Sequence, residues 1–278
     1  MRGCKLNKEL TVKGLRIGKP NPVRIMGVIN LSPESFYSGS VVTSNQDLAR
    51  RIGEMIEQGA DIIDIGGAST APFEVYGTGR ITMNDELARI SSALKTIIDC
   101  TDLPISIDTA SSKVAELALD KGVSIVNDVS GLRGDRNMAA LIAERLVPLV
   151  IMANCPQGCN SIDSSIDALR NSIQIAKNAG IEENQLILDP GIGFGKPPEV
   201  DYEILKRLEI FSAFGRPLLV GVSRKAFIGH ILSEENPEDR LYGSIAATAV
   251  AVVNGADLIR THDVKETLAA ARVGEILR

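Results

Sequence analysis

The stretch Leu186-Ile187-Leu188-Asp189-Pro190-Gly191-Ile192-Gly193-Phe194-Gly195-Lys196 decides how the chain folds. An apolar run ends in a carboxylate, and a Pro-Gly pair then stops any further pairing. Pro190 and the glycines at 191, 193 and 195 disfavour both helix and strand, so the backbone turns here. A buried strand that ends in Asp and opens into a Gly-rich loop puts one carboxylate at the rim of a sheet. In α/β proteins that rim is where ligands bind. Asp189 is therefore expected to floor a pocket, with other strand ends gathered around it.

Outward from this stretch the same unit recurs. Short apolar runs of strand length lie at 25–29, 62–65, 105–107, 124–126, 149–152, 186–188, 218–222 and 258–259. Segments of helical period fall between and after them, at 45–58, 82–99, 110–121, 135–145, 163–180, 199–211, 238–255 and 263–277. Strict alternation implies parallel strands, because each crossover helix returns the chain to the same end of the sheet. Eight such units in about 250 residues is the size of a (β/α)8 barrel. A doubly wound sheet is the alternative, but Gly27-Val28-Ile29-Asn30 is not the Gly-rich turn a dinucleotide fold carries after its first strand. Residues 1–23 are polar and punctuated by Gly and Pro, and read as a short hairpin or flap packed on a barrel of residues 24–278.

Composition narrows the function. The chain of 278 residues is 44% hydrophobic but only 4% aromatic, so its core is aliphatic. A net charge of -5 and the lack of a basic run argue against a nucleic-acid partner. No apolar run approaches the ~18 residues of a membrane span, and Met1-Arg2-Gly3-Cys4-Lys5 does not open a signal peptide, so a cytoplasmic protein with no membrane partner is expected. Cys155 and Cys159 form a C-x3-C pair with no nearby His to complete a zinc site, and are expected to be reduced thiols.

The expected strand ends carry the chemistry. They present Asn30, Asp64, Asp108, Asn127-Asp128, Met152, Asp189, Ser223-Arg224-Lys225, and Arg260 with His262. Each Asp or Asn alone could be a cap or turn residue. Together they combine acids with a compact set of cations. Asp108, Asn127 and Asp189 suit a flat heterocycle whose edge offers paired N–H donors. Asn30, Arg224, Lys225, Arg260 and His262 suit a phosphate or pyrophosphate. The second histidine, His230, sits in a helix tail and reads as structural.

These residues lie in segments that resemble a known family. Ile25-Met26-Gly27-Val28-Ile29-Asn30-Leu31-Ser32-Pro33-Glu34-Ser35-Phe36 is similar to the first strand and loop of dihydropteroate synthases. Gly59-Ala60-Asp61-Ile62-Ile63-Asp64-Ile65-Gly66-Gly67-Ala68-Ser69-Thr70 resembles their second. Ile105-Ser106-Ile107-Asp108-Thr109, Val126-Asn127-Asp128-Val129-Ser130-Gly131, the Asp189 loop, Gly221-Val222-Ser223-Arg224-Lys225-Ala226-Phe227-Ile228-Gly229 and Arg260-Thr261-His262-Asp263-Val264 follow in order. The resemblance implies a barrel transferase of folate biosynthesis that joins 6-hydroxymethyl-7,8-dihydropterin diphosphate to p-aminobenzoate or a related arylamine and releases pyrophosphate. It implies that Asp108, Asn127, Asp189 and Lys225, with Met152, hold the pterin. Asn30, Arg260 and His262 hold the diphosphate, and Asn30 also reaches Mg2+. Ser69, Thr70 and Ser223 lie toward the arylamine, and the catalytic set is Asp108, Lys225, Arg260 and His262. A homodimer through the late helices is implied as well.

The pattern departs from the family around the second substrate. Ala71-Pro72-Phe73 stands where the family has Arg-Pro-Gly, Glu34 replaces an Asp, and the second loop is longer, through Tyr76-Gly77-Thr78-Gly79-Arg80. Met152-Ala153 stands where Met-His is common. An alanine cannot replace an arginine's bidentate anion contact. Either Arg80 supplies that charge, or the acceptor amine differs, or condensation is lost and a pterin site remains. The rival functions are a pterin-dependent methyltransferase, which would release no diphosphate, and a non-catalytic pterin-binding protein.

Overall fold

The computed structural model describes residues 9–32, 42, 44–68, 81–155 and 158–278. The chain opens with an antiparallel hairpin of β1 (Leu10–Val12) and β2 (Leu15–Ile17). Lys13 and Gly14 at its tip have φ of 43° and 81°, the left-handed pair that lets a two-residue turn follow the strand twist. The barrel then runs β3 (Arg24–Asn30), α1 (Asn45–Glu57), β4 (Ile62–Gly66), α2 (Met83–Cys100), β5 (Ile105–Asp108), α3 (Ser112–Asp120), β6 (Ile125–Asp128) and α4 (Met138–Arg145). It continues with β7 (Leu149–Met152), α5 (Ile162–Asn178), β8 (Leu186–Asp189), α6 (Pro198–Lys206), α7 (Glu209–Ser212) and β9 (Leu219–Val220). The last elements are α8 (Ala226–Leu232), α9 (Leu241–Val253), β10 (Leu258–Thr261) and α10 (Val264–Leu277). Helix starts are set by side-chain caps: Ser44 accepts from the Asp47 N–H, and Thr82 with Asp85 forms a reciprocal capping box.

The eight barrel strands are parallel, in the order β8-β7-β6-β5-β4-β3-β10-β9. A bridge between Leu188 and Leu218 joins the two end strands, with the Leu188 N–H donating to the Pro217 carbonyl at 2.9 Å. The ring is thereby closed, and the fold is a (β/α)8 barrel.

Period two along the strands sorts the side chains. One set, including Ile25, Ile63, Ile107 and Val126, packs outward against the helices. The other set, Met26, Ile62, Ile125, Val150, Ile187 and Leu258, fills the barrel interior together with Leu10, Val12 and Ile17 of the hairpin. The hairpin thus plugs the end of the barrel where the strands begin. Two residues further along the same six strands stand Val28, Asp64, Asn127, Met152, Asp189 and Arg260. The interior is apolar over its first half and polar above it, so the site sits where the strands end.

The expected helix count was too low. An extra helix, α8, follows β9, and a 3-10 turn at Pro237–Arg240 precedes α9, so the expected helix at 238–255 begins only at Leu241. The helix expected at 199–211 breaks into α6 and α7 at Arg207, whose φ of -121° and ψ of 36° leave the helical basin. The strand expected at 218–222 shortens to Leu219–Val220, because Gly221 contributes no side chain to hold a strand. The expected reduced thiols are also corrected, since Cys155 and Cys159 are joined in a disulfide after β7.

If the hairpin plugs the barrel floor, Ile17, which is fully buried in the interior cluster, carries folding energy. Ile17→Ala is expected to cost about 2–5 kcal/mol in urea unfolding. A loss under about 0.5 kcal/mol, the scale of surface substitutions, would show that the hairpin is not part of the core.

Candidate active site

Strand register brings the polar ends level. Asp108 pairs across with Gly66 on one side and Asn127 on the other, and Asp64 sits level with Val28 and Ser106. Met152 is level with Asp189, and Asn30 with Gly66. Arg260 crosses this layer. Its Nε donates to Asp64 Oδ2 at 2.7 Å and its Nη2 to Asp108 Oδ2 at 2.7 Å. Asp64 is fully buried and the Asp108 side chain nearly so. Unpartnered carboxylates there would be costly, and one guanidinium pairs with both, leaving the trio a net charge of -1. Burial works against the Arg260 charge, but Asp64 and Asp108 outweigh it and raise its pKa. The Asn127 Nδ2 lies 3.5 Å from Asp64 Oδ2. Asp64 Oδ1 and Asn127 Oδ1 are buried without a hydrogen-bond partner among the described residues, a surplus of acceptors that a donor-rich heterocycle would satisfy.

Asp189 forms the second part of the site. Its Oδ1 accepts from the Gly191 N–H at 2.7 Å, and burial raises its pKa against the pull of Lys225, Lys196 and Arg260. Lys225 donates to the Ile192 carbonyl, and its ammonium lies 4.5 Å from the centre of the Phe194 ring. Burial pushes its pKa down to about 8, opposed by Asp189 and Asp201.

His262 completes the rim. Its Nδ1 is 2.9 Å from Ser223 Oγ, and its backbone N–H donates to the same oxygen at 3.3 Å. Burial, with Arg260, Arg224, Arg51 and Lys225 nearby, holds its pKa down at about 3. The imidazole is therefore neutral at ordinary pH.

Known proteins resemble the chain over nearly its whole length. Residues 26–262 match the family model described as pterin binding enzyme. The dihydropteroate synthase of Clostridium beijerinckii is 38% identical over 91% of this chain and 93% of its own. That of Escherichia coli K12 is 35% identical over 96% of this chain and 95% of its own. The chain belongs to the dihydropteroate synthase family. Among solved structures of that family, the Clostridium difficile enzyme, crystallised in the presence of pteroic acid, superimposes with a TM-score of 0.84 at 40% identity. It covers 94% of this chain and 98% of its own. The Xanthomonas albilineans enzyme with 4-aminobenzoic acid gives 0.87 at 33% identity, covering 98% of each chain.

Within this member of the dihydropteroate synthase family, Asp108, Asn127, Met152, Asp189, Arg260 and Asn30 all lie at or next to the ends of barrel strands, Lys225 follows β9, and His262 follows β10 directly after Thr261. Several of these residues have partners within the protein. Arg224 makes a two-pronged ion pair with Asp263 at 2.9 and 2.8 Å and donates to the Pro237 and Glu238 carbonyls. Its φ of 56° aims it away from the strand direction, which sequence does not reveal. Arg260, expected at the diphosphate, pairs through Nε and Nη2 with two acids. Ser223, expected toward the arylamine, orients His262. Asp128 spends both oxygens on the backbone N–H groups of Ser130 and Leu132, a loop-closing role. His230 is exposed on α8. Ser69, Thr70, Ala71 and Arg80 lie outside the described residues.

Sequence reasoning missed four supporting groups. Glu86 and Arg89 on α2 reach the strand-end loops, Glu86 accepting from Thr109 Oγ1 at 2.6 Å and Arg89 donating to Ser32 Oγ at 3.1 Å and the Gly67 carbonyl at 3.2 Å. Lys196 and Asp201 lie buried under the Asp189 loop. A sequence signal existed for the first pair: a Glu and an Arg three apart on one helix face, directly after the second loop.

Lys225 must be protonated to donate to a ligand's acceptors. Its lowered pKa leaves the charge intact below pH about 8 and removes it as pH rises through that value. Pterin affinity measured by calorimetry is expected to fall above pH about 8, and Lys225→Arg, which stays charged, is expected to extend the plateau. Identical pH profiles for the two proteins would rule out Lys225 as the titrating group.

Proposed function

We propose that this chain condenses 6-hydroxymethyl-7,8-dihydropterin diphosphate with p-aminobenzoate or a related arylamine in folate biosynthesis. The observation that carries this reading is the buried acceptor layer of Asp64, Asp108, Asn127 and Asp189, in which Arg260 joins Asp64 to Asp108, within a chain of this family. Such a layer accepts the N–H edge of a pterin.

In the reaction the bond from the exocyclic carbon to the diphosphate oxygen breaks, and its electron pair leaves with pyrophosphate. The amine lone pair forms the new C–N bond, and the amine then gives up a proton to water or to the departing pyrophosphate. Positive charge that develops on the ring is stabilised by Asp64 and Asp108, whose carboxylates lie in the same buried layer. Arg260, fixed by those two acids, offers its remaining N–H to the departing anion. Neutral His262, oriented by Ser223, acts as a hydrogen-bond partner rather than as a second cation. Lys225 binds the pterin beside Asp189. No strong general base is required, because the attacking arylamine is already neutral.

Mg2+ belongs to the same proposal. Among the described residues no group of three or more His, Cys, Asp or Glu is placed to hold a metal. Asn30 at the end of β3 supplies one hard amide oxygen, and that suits an ion whose other ligands are phosphate oxygens and water. Such an ion would offset the charge of the leaving diphosphate. Nothing in the described site favours the methyltransferase or the non-catalytic reading.

A homodimer is the remaining element. An apolar groove between α6, α8 and α9 is lined by Tyr202, Leu205, Phe227, Ile231, Leu232 and Val250, with Ile231 59% and Leu232 45% exposed. A second copy of the chain, presenting the same helices, would cover it.

Two outcomes are expected. Pyrophosphate should be released when the pterin diphosphate and p-aminobenzoate are supplied together; absence of turnover with intact pterin binding would count against the standard acceptor. In sedimentation, the unmodified chain should run as a dimer and Ile231→Glu as a monomer; a monomeric unmodified chain would end the dimer proposal.

A further inference from the structure

The turn after β8 has three glycines with left-handed φ, 72° at Gly191, 77° at Gly193 and 69° at Gly195. A backbone bent this way leaves the helix and sheet ladders, so its polar groups need other partners. They find charged side chains. The Gly191 N–H donates to Asp189 Oδ1 at 2.7 Å, and the Gly191 carbonyl accepts from Lys196 Nζ. The Ile192 carbonyl accepts from Lys225 Nζ. The Gly193 N–H donates to Asp201 Oδ1 at 2.9 Å. Two of these partners, Asp189 and Lys225, belong to the pterin site. The other two, Asp201 and Lys196, are buried, and the reaction proposed above gives them no role.

The turn also places Lys225 sterically. A Cβ at Gly193 would come within 2.5 Å of Lys225 Cδ, so the lysine's alkyl chain lies directly on that glycine. The ammonium itself rests between the Ile192 carbonyl and the Phe194 ring. The hydrogen bond, ring contact and close packing described for the Lys225 chain are all with residues 192–194, and the Gly193 N–H is held by Asp201.

We propose that Asp201 is a positioning residue for Lys225, acting through the Gly191–Gly193 backbone, with Lys196 bracing the same turn from its carbonyl side. The assignment of Lys225 to the pterin rests on the function proposed above. Asp201 reaches across from the first turn of α6, where the helix N-terminus favours a negative side chain. The charged groups facing it are Lys196 and Lys225. Those facing Lys225 are Asp189, Asp201, Arg260 and Lys196. Burial raises the Asp201 pKa to about 6, so at neutral pH it is ionised and helps keep Lys225 protonated. Asp201 thus acts twice, by fixing the loop and by supporting the charge.

The two actions separate in two variants. Asp201→Ala removes both, and is expected to raise the KM for the pterin diphosphate at least tenfold while leaving the arylamine KM near that of the unmodified enzyme. Asp201→Asn keeps an acceptor for Gly193 and loses only the charge. It is expected to restore most of the pterin KM yet move the Lys225 titration down by about 0.5–1 pH unit. That titration is read directly, from the Nζ resonance of Lys225 or its reactivity toward an amine reagent, and does not require turnover. An unmoved Lys225 titration in Asp201→Asn would overturn the proposal, as would equal damage to both KM values in a folded Asp201→Ala. If Asp201→Ala does not fold, the Asp201→Asn titration decides alone. Failure of the functional reading looks different: the unmodified protein would bind no pterin, whatever Lys225 does in the variants.

Discussion

The upper half of the barrel depends on one ionic contact, Arg260 between Asp64 and Asp108. Three strands distant in sequence, β4, β5 and β10, each bring one charged residue into an interior that excludes most water. Either carboxylate alone would be expensive to bury, and so would the guanidinium. Joined, they allow a barrel to carry acceptors in its lumen without unfolding. The cost of burial is met internally, and Asp64 Oδ1 and Asn127 Oδ1 remain as acceptors for a ligand.

A second arrangement of the same kind surrounds the Gly-rich turn. There the charges pair with the backbone of residues 191–193, two acids taking its N–H groups and two lysines its carbonyls. The physical reason is shared by both regions. A buried polar layer is tolerated only when each of its members has a partner of opposite character, and those partners come from β-strand ends, the following loops and the first turn of a helix. Lower down, the aliphatic plug of the hairpin and the first half of each strand supplies the hydrophobic core on which this layer rests.

Much of the fold was legible because its signals are local and repeated. Apolar runs such as 105–107 alternating with helical periods yield the barrel, and Gly14 after Lys13 yields the hairpin. Less was legible where the signal depends on distant neighbours. The extra helix α8 follows a turn through Arg224 at φ 56°, a conformation that is held by Asp263 and Ser244 rather than by its own propensity. The disulfide between Cys155 and Cys159 likewise depends on a loop shape that C-x3-C spacing does not dictate.

By itself the sequence determined which residues end the strands. Side-chain period and the placement of Gly and Pro are properties of neighbouring residues, so Asp108, Asn127, Asp189 and Arg260 were identifiable as one rim. Only the tertiary structure decided how the charges on that rim are shared. Arg224 is spent on Asp263 while Lys225 beside it reaches the Gly-rich turn, burial holds His262 neutral, and Asp201 binds the loop at Gly193. Adjacent residues can serve opposite purposes because pairing and desolvation depend on what the fold brings within a few ångströms, and no local pattern records that distance.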